Sequence, residues 1–218
     1  MCICGKIGNI FSFCLPTPLV AIKAIIFDID GVLADSREAV VHNTERLLAE
    51  FGFGVSHDDV ELMSAAHSAD SVLLQLAPVL ESDPHKLRRM LERLSTLTAE
   101  NMHLVKPTPL VKKVPQLAKK YKIAAATNRK KSAWLVLRSF GIEKHFSTVQ
   151  TSIDCQPKPH PGMILHALKK MGVKPSEAVF VGDNSEDRMA GEAAGVKVIL
   201  VDAACREESC HNFLKEFL

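Results

Sequence analysis

Two aspartates one residue apart, Asp28 and Asp30, follow the apolar run Ile25–Phe27, and Gly31 comes directly after them. The apolar run predicts a strand buried on both faces, where a charged side chain would be costly. We therefore expect both aspartates where this strand leaves the core. In open α/β sheets, ligands bind at the carboxyl ends of the strands. Two carboxylates at such a point predict a divalent cation, and with it phosphate chemistry.

Further polar groups follow other short apolar runs or lie between prolines. They supply carboxylates for a hard divalent ion, a hydroxyl group for phosphate oxygens and a cation for phosphate charge. The set comprises Thr127 and Asn128, Lys158 within Gln156–Pro161, and Asp183 and Asn184 with Asp187.

Other interpretations exist for each of these groups taken singly. Asp28 and Asp30 could begin a structural Ca²⁺ loop, but an EF-hand has a third ligand at position 5 and glycine at position 6, whereas Gly31 follows at once. Without the other groups, Lys158 would be interpreted as an exposed surface residue, as most lysines are. Asp187 could cap a helix or form a surface ion pair with Arg188. Only the combination predicts a site.

Elements that could position these groups follow from the periodicity. Strand patterns alternate with helix patterns, which indicates an α/β fold with a doubly wound, Rossmann-like parallel sheet. From Arg37 to about Met102 the pattern is helical only, and Asp35 with Glu38 has capping-box spacing at its start. We therefore divide the chain into a leader outside the fold (1–21), a Rossmann-like core (22–35 and 104–218) and an inserted all-helical domain (36–103).

Composition restricts the function classes. The 218 residues carry a net charge of only +2, which gives no electrostatic support for a nucleic-acid partner. No apolar run approaches the roughly 20 residues of a membrane span. The six cysteines form no CxxC pair, which is typical of reduced thiols in a cytoplasmic protein, although Cys2 and Cys4 could bind a soft metal.

The N-terminal leader and the C-terminal residues have sequence patterns of their own. The apolar leader could be a secretory signal peptide, but its basic start is thin, and Pro16 and Pro18 interrupt it. A loosely docked leader fits it better. Residues 206–218 have the pattern of an amphipathic helix.

The four groups, in this order, resemble the motifs of the haloacid dehalogenase superfamily, specifically its phosphatases with a small helical cap. The resemblance covers residues 23–202 and includes phosphoglycolate phosphatase-like and β-phosphoglucomutase-like members. The first motif matches Asp28–Val32, the second Thr127-Asn128, the third Lys158 and the fourth Gly182–Asp187.

The resemblance implies a role for each of these residues. Asp28 would attack phosphorus and form an aspartyl-phosphate, and Asp30 would act as general acid and then base. Thr127 and the backbone amides after Asp28 and Thr127 would hold phosphate oxygens, and Lys158 would bridge nucleophile and phosphate. Mg²⁺ would be bound by the metal ligands Asp28, Asp30 (through its carbonyl) and Asp183, with Asn184 and Asp187 in support.

The expected function is Mg²⁺-dependent hydrolysis of a small phosphorylated metabolite, by a cytoplasmic monomer or homodimer without nucleic-acid or membrane partners. Two alternatives stay open: a phosphosugar mutase, and a non-catalytic binding protein on the same scaffold. The mutases carry a histidine where this chain has Val40, and dehalogenases lack the aspartate matching Asp30. Candidates for substrate selection in the cap are Met63, Ala66, His67, Arg88 and Arg93.

Overall fold

A computed structural model describes residues 21–64 and 69–201, together with the single positions 215 and 217. The predicted leader, apart from Ala21, lies outside the described residues. So do nearly all of the predicted C-terminal helix and the candidates Ala66 and His67. No helix in the described part of the chain is both long enough and apolar enough to cross a membrane.

A five-stranded parallel sheet forms the centre of the molecule, in the order β5-β4-β1-β6-β7. The first strand lies in the middle, so that Ile26 is paired with Ala124 on one side and Phe180 on the other. This confirms the predicted α/β fold. The strands are β1 (Ala24–Phe27), β2 (Ala34–Asp35), β3 (Lys106–Pro107), β4 (Lys122–Thr127), β5 (Phe146–Thr151), β6 (Ala178–Gly182) and β7 (Lys197–Leu200).

Helices cover both faces of this sheet, because successive side chains of a strand point to opposite faces. On one face Ile25 and Phe27 belong to a buried cluster with Leu137, and on the other Ile26 belongs to a cluster with Leu168. Because both faces of the central strand are covered, the polar residues that follow it, beginning with Asp28, can lie only at the carboxyl end of the sheet. The helices are α1 (Arg37–Glu50), α2 (His57–Ser64), α3 (Ala69–Leu76), α4 (Pro84–Glu100), α5 (Val114–Leu117), α6 (Ser132–Ser139), α7 (Gly162–Met171) and α8 (Ser185–Ala193).

Helices α1–α4 form what we call the helical segment, residues 37–104, which includes two 3₁₀ turns, Pro78–Ser82 and Met102–Leu104. It has its own buried apolar cluster, separate from the two clusters on the sheet. The chain enters it through β2 and leaves it through β3, and these two short strands pair antiparallel, Ala34 with Pro107 and Asp35 with Lys106. The division at residues 36 and 103 stays a prediction.

One local prediction was wrong. The N-cap of α1 is Ser36 and not Asp35, because Asp35 pairs with Lys106 in the β2–β3 ribbon. The segment before Tyr121 forms only the single turn α5, preceded by a 3₁₀ turn at Pro109–Lys113. Proline at position 115 lacks the N–H that a longer helix would need there.

Candidate active site

The loop after β1 carries the first candidate group. The backbone N–H of Asp28 donates to the Val181 carbonyl at 2.8 Å, so Asp28 lies directly at the end of the paired strands, 4% exposed. Gly31 has a φ of +76°, and a Cβ at this position would lie 1.6 Å from Asp183 Oδ2. Only glycine fits this close approach between the loops after β1 and β6.

Three carboxylates meet in this space. Single oxygens of Asp28, Asp183 and Asp187 all lie within 4.8 Å of one another. Lys158 Nζ lies 2.8 Å from Asp28 Oδ1 and 2.5 Å from Asp187 Oδ1. A single ammonium group therefore accompanies three carboxylates and contacts two of them, which leaves two negative charges in surplus if all three are ionised.

This surplus of negative charge contributes to raised pKa values of two aspartates in the group, Asp28 and Asp183. Burial raises the pKa of Asp28 to about 8, and the charges of Asp187 and Asp30 add to the rise against the opposing charge of Lys158. Burial and Asp187 also raise the pKa of Asp183, to about 6. Asp28 and Asp187 raise the pKa of Lys158 against the opposing effect of burial, so Lys158 stays charged. A divalent cation would neutralise the surplus, and carboxylate oxygens are the ligands that Mg²⁺ prefers.

The amino end of α8 fixes the positions of the acidic groups. Asn184 is its N-cap, and its Oδ1 accepts from the Asp187 N–H at 3.0 Å while its Nδ2 donates to Asp183 Oδ1 at 2.9 Å. Asp187 is fully buried and accepts through Oδ2 from the Asp183 N–H at 2.9 Å. These contacts hold Asp183 and Asp187 in place at the amino end of α8, and the metal-supporting roles of Asn184 and Asp187 stay a prediction.

The end of β4 meets the Lys158 loop. The Lys158 N–H donates to Asn128 Oδ1 at 2.8 Å, and Asn128 Nδ2 donates back to the Lys158 carbonyl at 3.3 Å. Thr127 is buried, and its hydroxyl accepts from the Arg129 N–H at 3.2 Å. The Asn128 side chain thus holds the lysine loop in place.

Arg129 is a residue that the sequence analysis missed. Its Nε donates to Asp30 Oδ2 and its Nη2 to Asp30 Oδ1, both at 2.7 Å. Desolvation acts to raise the pKa of Asp30, but the charge and hydrogen bonds of Arg129, with a bond from Ser36, hold it below its ordinary value. The available signal was a cation two residues beyond Thr127, in a sequence otherwise typical of a solvated loop, Arg129–Lys131.

A cavity of about 310 Å³ lies between the helical segment and the strand ends. Asp30, Asn128 and Arg129 line its floor, and α1, α3 and α4 contribute its other walls, including Val40 and Leu94. A larger groove of about 910 Å³ lies beside β3 and Phe140, away from the carboxylates, and we do not assign it to the site.

The cap candidates that the structure describes do not line this cavity. Arg93 is bound by Glu50 and Glu100, and Arg88 lies against Glu92 with 81% of its side chain exposed. Met63 is also absent from the described lining.

Comparison with known proteins identifies the family. The model of the haloacid dehalogenase-like hydrolases matches residues 25–201, which is most of the chain. The chain belongs to the haloacid dehalogenase-like hydrolases. The enzyme class follows from this membership, and the predicted resemblance is confirmed.

Two curated proteins and one crystal structure illustrate what this hydrolase is similar to. It is 28% identical to a phosphoglycolate phosphatase of Haemophilus influenzae, over 81% of this chain and 84% of the relative. It is 26% identical to a pyrophosphatase of Oceanobacillus iheyensis, over 91% and 90%. A crystal structure of a subfamily IA hydrolase of the superfamily from Geobacter sulfurreducens is 30% identical, with a TM-score of 0.67 and coverage of 83% and 87%.

Proposed function

We propose that this hydrolase removes phosphate from a small phosphorylated metabolite through an aspartyl-phosphate intermediate, with Mg²⁺ as cofactor. The observation that carries the proposal is the group of Asp28, Asp183 and Asp187 around Lys158, which has two surplus negative charges when all three carboxylates are ionised. Asp28, Asp187 and Lys158 are buried, and Asp183 is partly buried. Phosphoryl transfer depends mostly on positioning and charge neutralisation, which such a group supplies.

Asp28 is the proposed nucleophile. Its carboxylate would attack phosphorus in line with the leaving oxygen, so that a bond from Asp28 to phosphorus forms as the ester P–O bond breaks. Lys158 holds Asp28 through Oδ1 and brings a positive charge to the place where a dianionic phosphate would lie. The buried Thr127 hydroxyl would donate to a phosphate oxygen.

Asp30 is the proposed general acid and base. It lines the cavity, where the leaving group would be, whereas Asp28 is buried and is not among the residues that line it. Asp30 would give its proton to the leaving alkoxide and then take one from the water that attacks the aspartyl-phosphate. The second step releases inorganic phosphate and restores Asp28.

The Asp28 carboxylate, the Asp30 carbonyl and the Asp183 carboxylate would hold Mg²⁺, with Asn184 and Asp187 fixing the ligands. When bound, the ion neutralises the surplus negative charge and polarises the phosphate oxygens. The helical segment is proposed as the cap, which excludes water from the first step and selects the substrate.

The structure favours hydrolysis over the mutase alternative at one position. Val40 lines the cavity, where mutases of the family carry a histidine, and an apolar side chain cannot move a proton. The relatives named phosphoglycolate phosphatase and pyrophosphatase also support phosphate hydrolysis. The alternative of a non-catalytic binding protein is opposed by the intact charged group, which serves no purpose in packing.

Phosphate release tests the proposal. Purified protein with Mg²⁺ should release phosphate from p-nitrophenyl phosphate or from members of a panel of phosphorylated metabolites. Asp28→Asn should lower kcat by roughly 10³-fold or more, since a carboxamide is a poor nucleophile. Asp58→Asn, an exposed aspartate on α2, is the matched control and should leave kcat unchanged.

Two results would contradict the proposed function: no release from any substrate with Mg²⁺, or an Asp28→Asn variant as active as the unmodified protein. Transfer of phosphate within a phosphosugar, without net release, would instead identify a mutase.

A further inference from the structure

The Arg129–Asp30 pair differs from the surface ion pairs of this protein. The Arg129 side chain is only 10% exposed, whereas that of Arg138, which forms a similar two-bond pair with Glu143, is 67% exposed. Withdrawing a guanidinium group from water is costly unless it is well bonded. The burial of Arg129 therefore indicates a role that an ordinary surface ion pair does not have.

The two carboxylate oxygens of Asp30 accept different numbers of hydrogen bonds. Oδ1 accepts from Arg129 Nη2 at 2.7 Å and from the Ser36 hydroxyl at 2.5 Å. Among the described residues, Oδ2 accepts only the Arg129 Nε–H, also at 2.7 Å. A carboxylate oxygen has two lone pairs, so Oδ1 is saturated while Oδ2 keeps one free.

Arg129 itself is held on three sides. Its Nη2 also donates to Ser36 Oγ at 2.7 Å, its Nη1 lies 3.4 Å from Ser132 Oγ, and its backbone N–H donates to Thr127. The fork is thus fixed to the end of β4 and to the residue that precedes α1. Two parallel bonds from a planar guanidinium also fix the plane of the carboxylate that they hold.

We propose that Arg129 is a positioning residue, which clamps Asp30 so that Oδ2 is the oxygen that exchanges the proton with the leaving group. In the step concerned, Oδ2 first takes up a proton from solvent at its free lone pair. The Oδ2–H bond then breaks as the ester P–O bond breaks, and the proton moves to the leaving oxygen. The inference rests on the proposed role of Asp30 as acid and base.

Two substrates with different leaving groups test the proposal. p-Nitrophenolate leaves without a proton, whereas an alkoxide needs one. The ratio kcat/KM reports the steps up to departure of the leaving group. Arg129→Met should lower kcat/KM by roughly 10²-fold for an alkyl phosphate from the panel, and by less than about 5-fold for p-nitrophenyl phosphate. A loss of folding would lower both equally.

Further variants separate positioning from charge and from folding. Arg129→Lys keeps the charge but not the fork, and should behave nearly as Arg129→Met on the alkyl phosphate. Ser36→Ala should show the same selectivity with a smaller loss, since it frees one lone pair of Oδ1. Arg138→Met, which breaks an exposed fork, is the matched control and should change neither substrate. Arg129→Met should cost nothing further in an Asp30→Asn background.

Several outcomes would overturn the positioning role. These are an equal loss on both substrates, a fully active Arg129→Lys variant, additive losses with Asp30→Asn, or a raised inhibition constant for inorganic phosphate, which would make Arg129 a phosphate ligand. Each of these leaves an active, Asp28-dependent phosphatase. An inactive wild-type protein, by contrast, would overturn the proposed function and this inference with it.

Discussion

At the scale of single residues, Gly31 decides whether the acidic group can assemble. Its missing side chain lets the loop after β1 lie against Asp183, and its positive φ directs the chain away from the site. A side chain at position 31 would therefore destabilise this loop in two ways, through backbone strain and through a clash with the proposed metal ligand Asp183.

Gly31→Ala is expected to lose most Mg²⁺-dependent phosphate release, because the new Cβ displaces Asp183. Gly52→Ala is the control, since Gly52 has a φ of +81° but nothing within 4 Å of its Cβ position. It should cost about 1–2 kcal/mol of stability from strain alone and leave activity intact. Phosphate release and thermal denaturation of both variants measure the difference. Equal activity in the two variants would show that the close approach is unimportant.

The sequence predicts the strand-end groups well and their connections poorly. Asp28, Thr127 and Asp183 each follow an apolar run, which is a local signal that needs no tertiary information. Arg129 carries no such signal, because its partner Asp30 lies 99 positions away. Its neighbours Lys130 and Lys131 make it resemble an ordinary solvated loop.

At the scale of elements, the helical segment is organised around a core of its own. Leu47, Met90 and Leu97 are fully buried there, and none belongs to the clusters on the sheet. The helical period of these positions was visible in the sequence. The true start of α1 was not, because Asp35 is engaged by β3, which lies some 70 positions further along the chain.

Leu97→Ala should weaken this segment more than the sheet. Removing a fully buried leucine side chain costs about 2–5 kcal/mol. Because the cluster is separate, we expect faster amide hydrogen exchange in α1 and α4, with β1 and β4 nearly unchanged. Leu137→Ala, from the cluster on the sheet, should accelerate exchange in the strands as well. Uniform acceleration in Leu97→Ala would argue against an independent cap.

At the scale of the whole molecule, the surplus of negative charge links stability to pH. Asp28 and Asp183 have raised pKa values, about 8 and about 6, so the folded protein binds their protons more tightly than the unfolded chain does. Their contribution to stability is fully present below the unfolded pKa, near 4, and is lost as the pH rises through 6 and then 8.

The metal-free protein should therefore melt at a lower temperature as the pH is raised from 5 to 9. For a chain of this size, each 1 kcal/mol lost lowers the Tm by about 2–4 °C. Asp28→Asn should flatten the curve above pH 6, whereas the exposed-site variant Asp58→Asn should not. Saturating Mg²⁺ should also flatten it, because the bound ion keeps the carboxylates ionised. A Tm that stays level or rises in chelator over pH 6–9 would contradict this account.

The β2–β3 ribbon has a mechanical consequence. Because the two crossings between the sheet and the helical segment are hydrogen-bonded to each other, neither can swing without the other. A paired ribbon resists sliding and splaying but permits twisting about its long axis. The helical segment would therefore move relative to the sheet mainly by rotation about the ribbon, with both crossings moving together. Such a rotation would change the width of the cavity between them without sliding its two sides past each other.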